Sequence, residues 1–101
     1  MRIYIAERTL YLKNTDEEVK EVDLRIGQPY QNEDGSWACP IQLKGLFEHL
    51  SDVNGDDSFQ ALMLAQNLAR TLLNALTEKG WTVYSNADKE SDVDTLFQVG
   101  V

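Results

Sequence analysis

The sequence predicts an α+β fold in which one long helix packs on an antiparallel sheet of three to four strands. Three observations predict it: apolar residues alternate in the first 45 residues, Asp34-Gly35 forms a strong turn signal, and residues 57–79 contain no Gly or Pro. The element order is β-β-β-α, with short strands possible after the helix. Because 101 residues with 43% apolar content suit one globular domain, we expect residues 1–101 to form a single domain.

The first strand is expected at residues 2–13. Its apolar residues form two sets of opposite parity, namely Ile3 and Ile5, then Leu10 and Leu12. Since strand side chains alternate between faces, either a bulge near Glu7-Arg8 flips the strand or both of its faces are covered. After a polar turn, a half-buried strand is expected at residues 18–28, and Pro29 ends it.

The third strand is expected at residues 36–44, after a turn at residues 32–35. One face carries Trp37, Cys39, Ile41 and Leu43, and the other carries Ala38, Pro40, Gln42 and Lys44. Because proline cannot donate to a β-ladder, Pro40 predicts an edge position or a bulge. Residues 45–56 are expected to be a loop whose apolar side chains tuck under the sheet edge; these are Leu46, Phe47 and Leu50.

The helix is expected to begin after Asp57 and to end near Lys79-Gly80. Asp57 is a good N-cap and Gln60 completes a capping-box-like pair, with Asp56 as a rival cap. Its apolar arc exceeds half the circumference, and between Ser58 and Thr77 the one charged residue is Arg70. A single sheet covers a narrower stripe, so the C-terminal segment or a second subunit should cover the rest.

The chain after the helix is less regular. A short strand is expected at residues 81–84, followed by a polar stretch at residues 85–92. Residues 93–99 are apolar again and predict a last strand or a docked tail. Residues 86–101 as a whole are therefore expected to be a flexible or docked tail.

The charge limits the partners. Nine basic and seventeen acidic residues give a net charge of −8, with −2 in residues 1–45 and −6 in residues 46–101. This field disfavours nucleic acid and anionic membranes, and it suits a basic protein, although it also serves solubility alone. The single cysteine, the lack of a signal peptide and the lack of a membrane span predict a cytoplasmic protein.

Residues with catalytic or metal-binding potential are few. Cys39 and His49 are the one possible cysteine–histidine pair, but the parity of Cys39 favours a core cysteine. A zinc site cannot be built from one His and one Cys. Residues 52–57 resemble a calcium loop but lack the sixth-position Gly and the twelfth-position Glu. No catalytic residue, metal or cofactor is predicted, and an enzyme is disfavoured.

Three motifs resemble those of a family of small uncharacterised bacterial proteins. They are R-I-G-x-P at residues 25–29, W-x-C-P at residues 37–40 and G-x-D-S-x-Q-A-L at residues 55–62. The resemblance covers roughly residues 5–76 and implies no activity, cofactor or partner.

The motif residues also define a candidate ligand site near the helix start, consisting of Trp37, Asp57, Ser58 and Gln60. The alternative is that these residues are structural. The favoured functional hypothesis is a small acidic cytoplasmic interaction module that forms a homodimer. The alternatives are an immunity- or antitoxin-like partner that neutralises a basic protein, and a ligand-binding protein or enzyme that uses the helix-start site.

Overall fold

The computed structural model describes residues 3–86, 89–91 and 93. Within these residues it contains eight strands and one helix: β1 (Tyr4–Lys13), β2 (Val19–Gly27), β3 (Tyr30–Gln31), β4 (Trp37–Cys39), β5 (Ile41–Lys44), β6 (Val53–Gly55), α1 (Ser58–Glu78), β7 (Thr82–Asn86) and β8 (Lys89–Ser91). All strand pairs are antiparallel. The α+β prediction with a single helix packed on sheet is confirmed.

The strands divide between two sheets. The larger sheet has the order β5-β2-β1-β7-β8 and the smaller one has the order β3-β4-β6. The prediction of one continuous third strand at residues 36–44 is therefore wrong. The strand is interrupted at Pro40, so that β4 belongs to the smaller sheet and β5 to the larger one. Pro40 has no backbone N–H to extend either ladder, and its carbonyl accepts the Gly27 N–H at 2.8 Å. The chain changes sheet at this residue.

The β1–β2 hairpin is closed by Asn14. Its side-chain oxygen accepts the backbone N–H groups of Asp16 (3.0 Å) and Glu18 (2.9 Å), as asparagine does in turns. The expected bulge exists, but it lies between Tyr4 and Ala6 rather than near residues 7 and 8. The alternative that both faces of the first strand are covered is wrong, because Ile3 and Ile5 are exposed to solvent.

The segment expected to be only a loop contains β6, which pairs with β4 and completes the smaller sheet. Three residues of alternating character are too few to produce a periodic signal. Leu46 and Leu50 pack against the core as expected. Phe47 instead remains exposed, so its predicted burial is wrong.

The helix boundaries agree with the sequence. Asp57 is the N-cap, Lys79 is the C-cap, and Gly80 has a φ of +99°. The Trp81 N–H donates to Leu76 O and the Gly80 N–H donates to Thr77 O, which is the hydrogen-bond pattern of a Schellman motif.

The core consists of two clusters joined by the helix. Ala61, Ala65 and Ala69 lie four residues apart, are fully buried, and pack against Ile26, Cys39 and Ile41. Small side chains let the helix approach this part of the sheets closely. One turn later, Leu73 enters the second cluster, which is formed with it by Leu10, Leu12, Val22, Leu43, Val83 and Val93.

The end of the chain is described only in part. β7 confirms the strand expected after the helix, and β8 pairs with it. Val93 is buried in the core. The predictions for the rest of residues 86–101 lie mostly outside the described residues. Within the described part of the chain, no helix is long and apolar enough to cross a membrane.

Candidate functional site

The helix start holds three of the four predicted ligand residues. The Gln60 N–H donates to Asp57 Oδ1 at 2.7 Å, and the Asp56 N–H donates to Gln60 Oε1 at 2.6 Å. This is a variant of the capping box, because Gln60 reaches back to the N–H of the residue before the N-cap rather than to that of the N-cap itself. The side chains of Asp57 and Gln60 therefore have a structural task, while Ser58 is exposed beside them.

Trp37, the fourth predicted ligand residue, reaches the same end of the molecule. It pairs with Gly55 across the β4–β6 ladder and packs, half-buried, on the cluster that contains Ala61. The structure thus brings β4 and the helix start together. The ligand site at these four residues stays a prediction.

Gly55 makes this close approach possible. A Cβ added at Gly55 would lie 2.6 Å from the Ala61 nitrogen and 2.9 Å from its Cα. Only glycine leaves room for the backbone of the first helical turn here. Gly27, in the R-I-G-x-P motif, also allows close packing, since a Cβ added at Gly27 would lie 2.6 Å from Pro40 Cβ. Residues of the three sequence motifs thus meet where the two sheets and the helix join.

Cys39 is a core residue, as its parity predicted. Its side chain is fully buried, and the thiol donates to the Gly27 carbonyl at 3.4 Å. Burial, with a smaller contribution from the negative charge of Asp52, raises the pKa of the Cys39 thiol. His49 is exposed on a loop. A thiol kept protonated in the core is poorly suited to nucleophilic catalysis.

The acidic stretch before the helix also has structural partners. The Tyr30 hydroxyl donates to Asp52 Oδ2, which ties the start of β3 to the loop before β6. Asp56 and Asp57 belong to the helix cap. Among the described residues, no group of three or more His, Cys, Asp or Glu side chains could hold a metal ion.

The larger sheet borders a mixed polar hollow at its β5 edge. The hollow has a volume of about 460 Å³ and is lined by Ile41, Gln42, Phe47, Glu48, His49, Leu50 and Ser51. Gln42 Oε1 is buried without a hydrogen-bond partner among the described residues. One water molecule is enough to satisfy such an atom, so the hollow does not specify a ligand.

The outward surface of α1, that is, the side of the helix turned away from the sheets, exposes large apolar side chains. Phe59, Met63 and Leu64 are 71%, 52% and 41% exposed. Their exposure confirms that the apolar arc of the helix is wider than the sheets cover. The sequence predicted the excess but not which residues carry it, because that depends on how the helix is rotated on the sheets.

A small hollow lies on this surface beyond Phe59. It has a volume of about 150 Å³ and is lined by Met63, Gln66, Asn67 and Arg70. These positions are i, i+3, i+4 and i+7 of one helix, so they surround a gap between successive turns. The outward surface thus combines protruding apolar side chains with an adjacent recess.

Comparison with known proteins gives a family but no activity. The family model described as "Domain of unknown function (DUF6968)" matches residues 6–92, which is most of the chain. No curated protein and no solved structure matches the chain. The resemblance to an uncharacterised family, inferred from the three motifs, is confirmed.

Proposed function

The chain belongs to the DUF6968 family, whose function is unknown, and we propose that it is a protein-interaction module that docks through the outward surface of α1. The observation that carries this proposal is the exposure of Phe59 (71%), Met63 (52%) and Leu64 (41%) within six residues of one helix. Several large apolar side chains exposed on one helix mark a candidate interaction surface.

The absence of charge supports the same surface. From Ser58 to Ala69 the helix carries no charged side chain, although the whole chain has a net charge of −8. Solvent-facing helix positions normally carry Lys, Glu or Arg, since charge keeps a helix surface soluble. A surface that carries amides and apolar groups instead suits contact with another protein, from which water is excluded.

We place this function in the cytoplasm. The single cysteine excludes an internal disulfide, and Cys39 is buried with a protonated thiol. A small domain that relies on its core rather than on disulfides is suited to a reducing compartment.

A second candidate function is the neutralisation of a basic protein. The net charge of −8 favours it, because an acidic surface accelerates and strengthens binding to a basic partner. The two candidates differ in their response to salt. Charge-driven binding weakens as ionic strength rises, whereas apolar docking does not.

A capture experiment tests both candidates. The tagged wild type and a Phe59→Ser, Leu64→Ser double variant are incubated with lysate of the source cells at low and high salt, and bound proteins are identified by mass spectrometry. Docking through α1 predicts a partner, or the untagged chain itself, that is retained at high salt by the wild type and lost by the variant. A basic protein that both forms capture, and that high salt releases, would replace the first candidate by the second.

The ligand site at Trp37, Asp57, Ser58 and Gln60 remains a third candidate. Its test is a metabolite screen by thermal shift, in which a ligand raises the melting temperature of the wild type. Loss of that shift in Ser58→Ala, which leaves the capping box in place, would support the site. No shift across the screen would count against it.

A further inference from the structure

We propose that the partner of the α1 surface is a second copy of this chain, paired as an antiparallel, two-fold symmetric helix dimer in which Phe59 of each copy fills the hollow of the other. This inference rests on the proposed docking function of α1 and names its partner. The surface contains both halves of such a contact, a protruding ring and a recess that fits it.

The recess has the geometry of a coiled-coil hole. Where two helices pack side by side, a side chain of one inserts between four residues of the other at positions i, i+3, i+4 and i+7. The hollow of α1 is lined by that set: Met63, Gln66, Asn67 and Arg70. Its volume is about 150 Å³ and it is open to solvent, so a ring inserted from a second helix is accommodated there on one side.

The protruding side chain is Phe59, which is 71% exposed. It lies four residues before Met63, so it is on the same stripe of the helix as the hollow, one turn earlier. A Phe59 ring cannot enter the hollow of its own helix. It can enter the hollow of a second helix that runs in the opposite direction.

Two-fold symmetry determines the register. The hollow is centred between Gln66 and Asn67, so a Phe59 seated there places the two-fold axis beside Met63, midway along the helix between the ring and the hollow. Both rings then seat at once, because a two-fold interface pairs residue i with j and j with i. Met63 faces its own counterpart on the axis.

The charges allow this pairing. Two chains of net charge −8 repel each other, so a self-interface must avoid acidic groups, and α1 carries none from Ser58 to Ala69. The one cation of the stripe, Arg70, lies at the end of the hollow. In this register it approaches the Phe59 ring and the carboxylates of Asp56 and Asp57 of the other copy, and a cation is attracted to both.

The contact is limited to one helix face on each copy. Interfaces that bury less than about 1,000 Å² are weak. We therefore expect a reversible dimer with a dissociation constant in the micromolar range or above. Sedimentation velocity over a concentration series should show the 11.5 kDa monomer passing into a species of twice that mass.

Matched variants test the role of the Phe59 ring. Phe59→Ser should raise the dissociation constant about tenfold or more, since aromatic residues at the centre of an interface carry much of its free energy. Leu64→Ser is the control, because Leu64 is also exposed and apolar but lies on another flank of the helix. An equal loss in both variants would indicate non-specific apolar association and overturn the proposal. Circular dichroism checks that both variants fold.

Disulfide trapping tests the register. Met63→Cys should cross-link to itself under mild oxidation, whereas Ala75→Cys should not; the native Cys39 is buried and does not interfere. A mixture of Asp56→Cys and Arg70→Cys chains should give the mixed disulfide, since 56 and 70 are equidistant from 63. A parallel pair would give the two homodisulfides instead and overturn the antiparallel arrangement.

The failure of this inference is distinguishable from the failure of the proposed function. A chain that stays monomeric at the highest concentrations overturns the second copy as partner. If such a chain still captures a partner at high salt, and the Phe59→Ser, Leu64→Ser variant does not, the docking function of α1 stands with a different occupant.

Discussion

Gly27→Ala tests whether the junction of the two sheets depends on the contact between Gly27 and Pro40. The new Cβ would lie 2.6 Å from Pro40 Cβ, 2.7 Å from Cγ and 3.0 Å from Cδ. Pro40 cannot move away easily, because its carbonyl accepts the Gly27 N–H at 2.8 Å and its ring is fully buried. Overpacking of this kind lowers the free energy of unfolding by about 1–3 kcal/mol.

Urea unfolding followed by tryptophan fluorescence measures this loss. Gly27 has no positive φ, so the substitution adds no backbone strain of its own. A loss below about 0.5 kcal/mol, which is typical of neutral surface substitutions, would refute the steric argument.

A double-mutant cycle with Pro40→Gly identifies the cause. Replacing Pro40 by glycine removes all three atoms that the new Cβ would meet. Gly27→Ala should therefore cost less in the Pro40→Gly background, with a coupling free energy of about 1 kcal/mol or more. Equal costs in both backgrounds would show that the ring of Pro40 is not responsible.

Three further predictions concern the helix start and the core. Gly55→Ala should destabilise the protein at least as much as Gly27→Ala in the same urea assay. The new Cβ would lie 2.6 Å from the backbone nitrogen of Ala61, so the first turn of α1 would have to shift. A stability equal to that of the wild type would contradict this. Asp57→Ala should cost about 1 kcal/mol through loss of the N-cap, whereas Asp57→Asn should retain most of the stability; an equal loss in both would show that charge rather than capping matters. Because burial raises the pKa of the Cys39 thiol, this thiol should react with a disulfide reagent at pH 8 only after urea is added, and fast reaction of the native protein would refute its burial.

The helix was predicted almost to the residue because its signals are local. Asp57 and Gln60 cap the start, and Gly80 supplies the left-handed residue that ends it. Each of these interactions spans at most five residues, so it can be inferred without knowledge of the tertiary fold. The same holds for β1 and β2, whose alternation is long enough to show its period.

The division into two sheets was not predictable in this way. Pro40 indicated an interruption, but a bulge, an edge position and a change of sheet look alike in sequence. The choice depends on Gly27, thirteen residues earlier, whose missing side chain gives space to the proline ring. The three residues of β6 are a strand only because β4 lies beside them.

The same distinction between local signals and tertiary contacts applies to the candidate sites. The sequence by itself determined that one helix carries more apolar surface than a sheet covers, and that Cys39 belongs to the core, because both follow from the periodicity of single elements. Only the tertiary structure decided that Phe59, Met63 and Leu64 face solvent. The rotation of a helix on its sheets is set by close packing between residues far apart in the chain, here the alanines of α1 against Ile26, Cys39 and Ile41, and no local pattern contains it.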